Sequence, residues 1–222
     1  MKILFVTPYL PGPPIFGGQR RIHGLLTELA LEHEISVVAL VDGYIDYREA
    51  LEDTRSYCKS VVVVPDEWHR VTGRRKRVLQ VGSLLSPWSW EWMLYRRPEF
   101  QRALDRELSE NRYDVVSCEF VFMAYYGYRA ARKRGARLVL DEHNIEYDIL
   151  RRSAESGSLD RKVFNALNWR KLRREEVAAW RRFDGCTVTS VRDLRILQEK
   201  APESMGLAPV GCAANAQAPK MA

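Results

Sequence analysis

The sequence predicts an α/β protein with a doubly wound parallel sheet in a single domain. Apolar runs of strand length alternate with longer stretches of helical periodicity along most of the chain. The runs are apolar nearly throughout, rather than at every second residue, as expected for parallel strands covered on both faces. With 222 residues and 46% apolar side chains, the chain suits one large domain and a sizeable core.

Residues 1–7, MKILFVT, read as a first strand. Residues 8–18, PYLPGPPIFGG, are too rich in proline and glycine for regular structure. Residues 19–31 read as a helix with Ile22, Leu25, Leu26 and Leu29 on one face. Residues 34–41 are a second strand, 45–58 a helix, and 60–64 a third strand ended by Pro65. Residues 68–110 are long for one crossover and read as extra helix. Residues 113–118, 136–141 and 185–189 supply strands four to six. Helices are expected over 121–134, over most of 161–183 as an amphipathic packing helix, and over 191–200. Residues 201–222, rich in Ala and Pro without periodicity, are expected to form a disordered tail beyond a domain of residues 1–200. Right-handed crossovers then give a Rossmann-like sheet whose ligands bind at the carboxyl ends of the strands.

Arginine supplies most of the +6 net charge. Its planar fork suits phosphate, so phosphorylated small molecules, an anionic membrane and nucleic acid all fit. No nucleic-acid motif accompanies the charge, and no nucleic-acid partner is expected. Neither a secretory leader nor a spanning helix is expected. Four widely spaced cysteines (Cys58, Cys118, Cys186, Cys212) argue against a zinc site or disulfide framework and for a reduced, cytoplasmic protein.

Candidate chemistry falls at two strand ends. The strand–Gly17-Gly18–helix step offers unpaired amides at a helix N-terminus, with Arg20 and Arg21 within reach of a phosphate. The plain alternative is a tight loop with solvated arginines. The spacing is not the dinucleotide fingerprint, and Asp42 after the second strand is weak as a ribose ligand without it. The run Asp141-Glu142-His143-Asn144-Ile145-Glu146 follows the fifth strand with more polar groups than a turn needs. Imidazole at His143 could bind a sugar hydroxyl or move a proton; a helix cap is the alternative. Glu119 faces the same rim and reads equally well as an exposed carboxylate. His23, His33 and His69 are isolated, and the helix over 161–183 is assigned no chemistry.

Between Trp68 and Arg106, nine basic residues face three acidic ones, a local excess equal to the whole chain's charge. Arg70, Arg74, Arg75, Lys76 and Arg77 precede Trp88, Trp90 and Trp92. Basic clusters beside tryptophan suit a membrane interface; the alternative is a solvated basic face with the tryptophans in the core.

The stretches KILFVTPYLPGPPIFGGQRRIHGLLTELALEHEISVVAL, YDVVSCEF, ARLVLDEHNIEYDILRR and RRFDGCTVTSVRDLRIL, in this order and spacing, resemble the N-terminal half of a GT-B glycosyltransferase of the family 4 type. The resemblance implies transfer of a sugar from a nucleotide-sugar donor to a glycan or lipid-linked acceptor, across a cleft between two Rossmann-like domains. It implies that the Gly17-Gly18 loop approaches the donor phosphates and that His143 lies near the transferred sugar. Arg20, Arg21, Glu119, Asn144 and Glu146 then become binding residues. It also implies a usually retaining, metal-free reaction with no cofactor beyond the nucleotide-sugar, often at the inner face of a membrane. The donor-binding C-terminal domain is expected to be absent here, leaving a poor transferase or none without a separate partner. A non-catalytic membrane- or partner-binding module and half of a nucleotide-sugar epimerase are the competing readings.

Overall fold

The computed structural model describes residues 1–43, 46–66, 71–130, 135–155 and 159–203. Its strands are β1 (Lys2–Thr7), β2 (Glu34–Asp42), β3 (Ser60–Asp66), β4 (Val115–Glu119), β5 (Arg137–Glu142) and β6 (Gly185–Val188). All pair in parallel, in the order β3-β2-β1-β4-β5-β6. The expected doubly wound sheet is therefore present. Strand order reverses at β1, between β2 and β4, and the carboxyl ends diverge there to leave a crevice.

Successive strand residues feed opposite faces. Leu4, Val6, Val38, Leu40, Val116, Cys118, Leu138 and Leu140 enter one core cluster, and Ile3, Phe5, Ile35, Val37 and Ala39 the other. Helix α1 (Gly17–Ala30) closes the second face with Ile22 and Leu26, both fully buried. Each contributes about 1.5–3 kcal/mol by leaving water. Helix α2 (Arg48–Tyr57) packs beside β3 and α1.

The long crossover over residues 68–110 resolves into three helices: α3 (Gly73–Leu84), α4 (Trp90–Tyr95) and α5 (Pro98–Glu110). α5 buries Phe100, Leu104 and Leu108 in the first cluster. Helix α6 (Val121–Ala130) follows β4 immediately, and α7 (Glu146–Ser153) follows β5 after three residues. Helix α8 (Leu159–Trp180) leads to β6, and α9 (Val191–Lys200) begins at Ser190, whose hydroxyl accepts from the Asp193 amide. The expected residues 131–134, residue 45 and the tail from 204 onward lie outside the described residues.

Helix α8 corrects the expectation of a simple apolar packing face. Asn168, Glu175 and Glu176 are buried beside Leu172 and Trp180. Each of the three ties down a neighbour. Glu175 accepts from the Ser89 amide at 2.8 Å and from the Ser89 hydroxyl. Asn168 accepts from the Trp90 amide at 2.9 Å. Glu176 accepts from the amides of Glu146 and Tyr147, both at 2.9 Å, and so caps α7.

Candidate functional site

Four strand ends and one helix start meet around a cavity of about 550 Å³ at the reversal point. Its wall is made by Pro8 and Tyr9 after β1, Phe120 and Phe122 after β4, His143 and Asn144 after β5, and Thr189 after β6. Gly17, Gly18 and Arg21 of α1 and Tyr95 of α4 complete it. The amide cradle and the imidazole thus border one hollow, although 125 residues separate Gly18 from His143.

The α1 end has the chemistry of an anion site. Phe16 precedes the helix in extended conformation and provides no side-chain cap, and the first turn carries no acid. The amide of Arg20 is the first to close a helical bond, to Phe16. Gln19 braces the incoming loop instead, accepting from Ile15 N and donating to Leu10 O, both at 3.0 Å. The helix starts at Gly17, two residues before the expected position, so both glycines belong to its first turn. They differ in role. A β-carbon on Gly17 would meet nothing within 4 Å, whereas one on Gly18 would lie 2.3 Å from the Tyr9 hydroxyl oxygen. Gly18 is required by the protein's own packing, and Gly17 leaves room toward the cavity.

Opposite, register aligns polar groups. Glu119 on β4 pairs with Asp141 on β5, which pairs with Thr187 on β6. The Thr187 hydroxyl donates to Asp141 Oδ1. Phe120, in the left-handed region at φ 66°, turns the chain directly from β4 into α6. That turn lays its ring against His143, centroids 3.9 Å apart. His143 Nε2 lies 3.0 Å from Glu119 Oε2 and 3.5 Å from Asp141 Oδ2. Glu119 also accepts from the Ser117 hydroxyl at 3.0 Å. With Nε2–H given to this carboxylate, Nδ1 is the ring atom left to accept from a ligand.

The expected residues separate into distinct roles. Gly17, Gly18, Arg21, His143 and Asn144 line the cavity, and Arg20 does not: it is exposed outside it. Arg21 is not solvated. Its Nε and Nη2 fork onto Asp141 Oδ2 and Oδ1 at 2.9 and 2.7 Å, both side chains being buried. Glu119 is not an exposed carboxylate. It is fully buried behind His143 and orients the ring. Burial, then the Asp141 charge, raises its pKa. Glu146 lies beside the cavity rather than on its wall, and burial and Glu91 raise its pKa to about 7. Asp42 lines an adjoining, mostly apolar cavity of about 570 Å³ that shares Pro8, Tyr9, Phe16 and Tyr95 with the first. Glu119, Asp141 and His143 bring ligand atoms within 4.8 Å of one another, a set able to hold a divalent cation. In this arrangement the Arg21 guanidinium already bonds both Asp141 oxygens.

Sequence reasoning missed Tyr9, Tyr95, Phe120 and the capping Glu176. The Glu175-Glu176 pair set directly before the apolar run Val177–Trp180 was the one readable signal for the last. In the basic segment, Arg74, Arg75, Lys76 and Arg77 are exposed on α3. Trp90 and Trp92, grouped with them as interfacial, are 9% and 3% exposed. Their amides are fixed by Asn168 and the Ser89 hydroxyl, which turns α4 inward, so neither indole reaches a surface. Arg70 lies outside the described residues. Among the described residues no helix is long and apolar enough to cross a membrane.

Solved structures share the fold at low identity. Sucrose-phosphate synthase from Thermosynechococcus elongatus matches with a TM-score of 0.61 at 12% identity, over 96% of this chain and 48% of that one. UGT2 of Phytolacca americana, complexed with UDP-2fluoro-glucose and pterostilbene, matches at 0.53 and 15%, over 95% and 53%. A UDP-glucosyltransferase from Polygonum tinctorium capable of glucosylating indoxyl matches at 0.52 and 12%, over 95% and 52%. This chain therefore spans about half the length of these solved chains. No curated protein matches the sequence. The family model of Glycosyltransferase Family 4 matches residues 16–204, most of the chain, and the protein belongs to that family.

Proposed function

We propose that this chain is the acceptor-side domain of a nucleotide-sugar-dependent glycosyltransferase. The observation that carries the reading is the shared hollow: an uncapped helix N-terminus on one wall and a carboxylate-oriented imidazole on the other. The α1 amides meet the donor's diphosphate, where dipole and unpaired N–H groups favour negative charge. His143 Nδ1 and Asn144 bind hydroxyls of the transferred sugar. Arg21 acts through Asp141, holding the carboxylate row in place behind the ring, and does not touch phosphate. The reaction needs no cofactor; the nucleotide-sugar is co-substrate and a glycan or lipid-linked molecule the acceptor. A C-terminal donor domain completes the cleft and supplies the cations that stabilise the leaving diphosphate. The described cysteines Cys58, Cys118 and Cys186 are free and buried, which suits a cytoplasmic enzyme.

The test is transfer of radiolabelled sugar from a panel of nucleotide-sugars, by the chain alone and with a candidate donor domain. In the assembled enzyme His143→Ala should lower kcat about 100-fold, the scale of losing one aligned polar group, measured where circular dichroism shows the variant folded, because the change also takes a partner from the buried Glu119. No transfer in any combination, or a wild-type rate in the His143 variant, would overturn the assignment.

A further inference from the structure

A further cleft, of about 480 Å³, opens between α7, α8 and α9. It shares no lining residue with the hollow at His143, yet it is built on the same two segments. Asn144 and Thr189 line the hollow. Tyr147, Asp148 and Arg192, about a turn further along, line the cleft.

Charge in this cleft is out of balance. Arg151, Arg173, Arg192, Arg195 and Lys200 face two carboxylates, Asp148 and Glu199. Both acids are already taken. Asp148 is buried and accepts from Arg151 at 3.0 Å, from Arg152 at 3.1 Å and from Arg192 at 2.5 Å. Glu199 is paired with Lys200. Arg173 and Arg195 are exposed, and among the described residues neither forms an ion pair. The Arg173 charge is felt by Tyr147 and Glu199 without a bond to either. Along α8 the cleft runs into another, of about 580 Å³, which shares Arg173 and adds Arg170, Arg174, Arg181 and Arg182. The potential of that row draws anions toward both.

The rest of the wall is not ionic. Tyr147, Trp169 and Ile196 form it, with the Arg170 guanidinium 4.7 Å from the Trp169 ring centroid. These features set what fits. A guanidinium fork holds two oxygens of a phosphoryl group at once, and a dianion supplies the charge the cleft lacks. The rings and Ile196 give an organic body apolar area to cover, in a volume typical of small-molecule sites. A nucleic-acid strand would be held by the arginine row along α8 and would need no cleft.

We propose that the α7–α8–α9 cleft binds a phosphorylated small molecule, its phosphoryl group on Arg173 and Arg195 and its organic body against Trp169 and Ile196. The proposal stands independently of the sugar-transfer reading.

The full chain is titrated by calorimetry with phenyl phosphate, inorganic phosphate and phenol, and its retention of a single-stranded RNA is measured in parallel. Wild type should bind phenyl phosphate more tightly than inorganic phosphate, ignore phenol, and weaken in high salt. Arg173→Ala/Arg195→Ala removes two exposed forks that carry no ion pair, so thermal unfolding should match wild type, and this is checked first. Its affinity for both phosphates should fall at least about tenfold. Backbone amide shifts on adding phenyl phosphate should gather at Tyr147, Trp169, Arg173 and Arg195. Wild type that binds neither phosphate, with or without retention of RNA, would overturn the proposal. So would phenol that binds as well as phenyl phosphate, or a double variant as tight as wild type. Shifts at Gly17 and Gly18 in place of the four named residues would assign the anion to the α1 end and overturn it equally.

Discussion

Replacing Arg21 with methionine is the sharpest test of how the site is held. The change keeps most of the buried stem and removes the fork that bonds Asp141 at 2.9 and 2.7 Å. Both side chains are shielded, at 8% and 3% exposure. Asp141 then loses the guanidinium, one strand from the fully buried Glu119, with the Thr187 hydroxyl and the His143 imidazole as neighbours. Breaking one side of a buried pair costs about 3–5 kcal/mol, far above an exposed ion pair's ~0–1 kcal/mol. For a chain of this size that is roughly a 10 °C fall in Tm. Asp141→Asn should destabilise comparably, because it takes the carboxylate that accepts both bonds from a buried guanidinium. The double variant should be less destabilised than the sum of the two by at least about 2 kcal/mol, since the bond it removes is counted once. Thermal and urea unfolding of all four proteins measure this. The loss should also grow from mildly acid to mildly alkaline pH, because the Asp141 charge that already raises Glu119 is no longer neutralised. A change below about 1 kcal/mol for Arg21→Met, or strict additivity in the cycle, would refute the buried-pair reasoning.

Three further outcomes are expected. Gly18→Ala forces the Tyr9 hydroxyl aside and should cost about 1–3 kcal/mol, while Gly17→Ala, which meets nothing within 4 Å, should leave Tm unchanged or slightly higher yet weaken nucleotide-sugar binding; equal Tm values would contradict this, as read by calorimetry. Glu176→Ala removes the acceptor for two α7 amides and should cost about 1–2 kcal/mol, with faster amide exchange at Glu146 and Tyr147 in hydrogen-exchange measurements. Burial raises Glu146 and Glu175 to about 7, so the folded state keeps protons the unfolded chain has already lost. Stability should therefore fall as pH rises from about 5 to 7.5, at up to about 1.4 kcal/mol per pH unit for each group, and Glu175→Gln should flatten that slope; a Tm that climbs across this window would contradict the assignment.

The parallel sheet, its strand ends and the meeting of Gly17, Gly18 and Arg21 with His143 were legible because they follow from local pattern. Apolar runs mark parallel strands, and parallel connectivity places their carboxyl ends on one rim. What happens behind that rim was not legible. Whether Glu119 faces water or His143 depends on register between β4 and β5, which no local stretch encodes. Arg21 and Asp141 are 120 residues apart, so their pairing arises only when α1 packs over the sheet. The tryptophans misled for a related reason. Trp90 and Trp92 sit in a basic stretch, but their direction is set by Asn168 and Ser89, which a helix far along the chain holds in place.

Neighbouring residues of one helix hold the starts of two other helices. Glu175 fastens the turn that starts α4, Glu176 fastens the segment that carries the imidazole, and Lys171, one turn back, clasps the end of α3. α8 is thus a shared axle: displacing this one helix would loosen the starts of α4 and α7 and the end of α3 together.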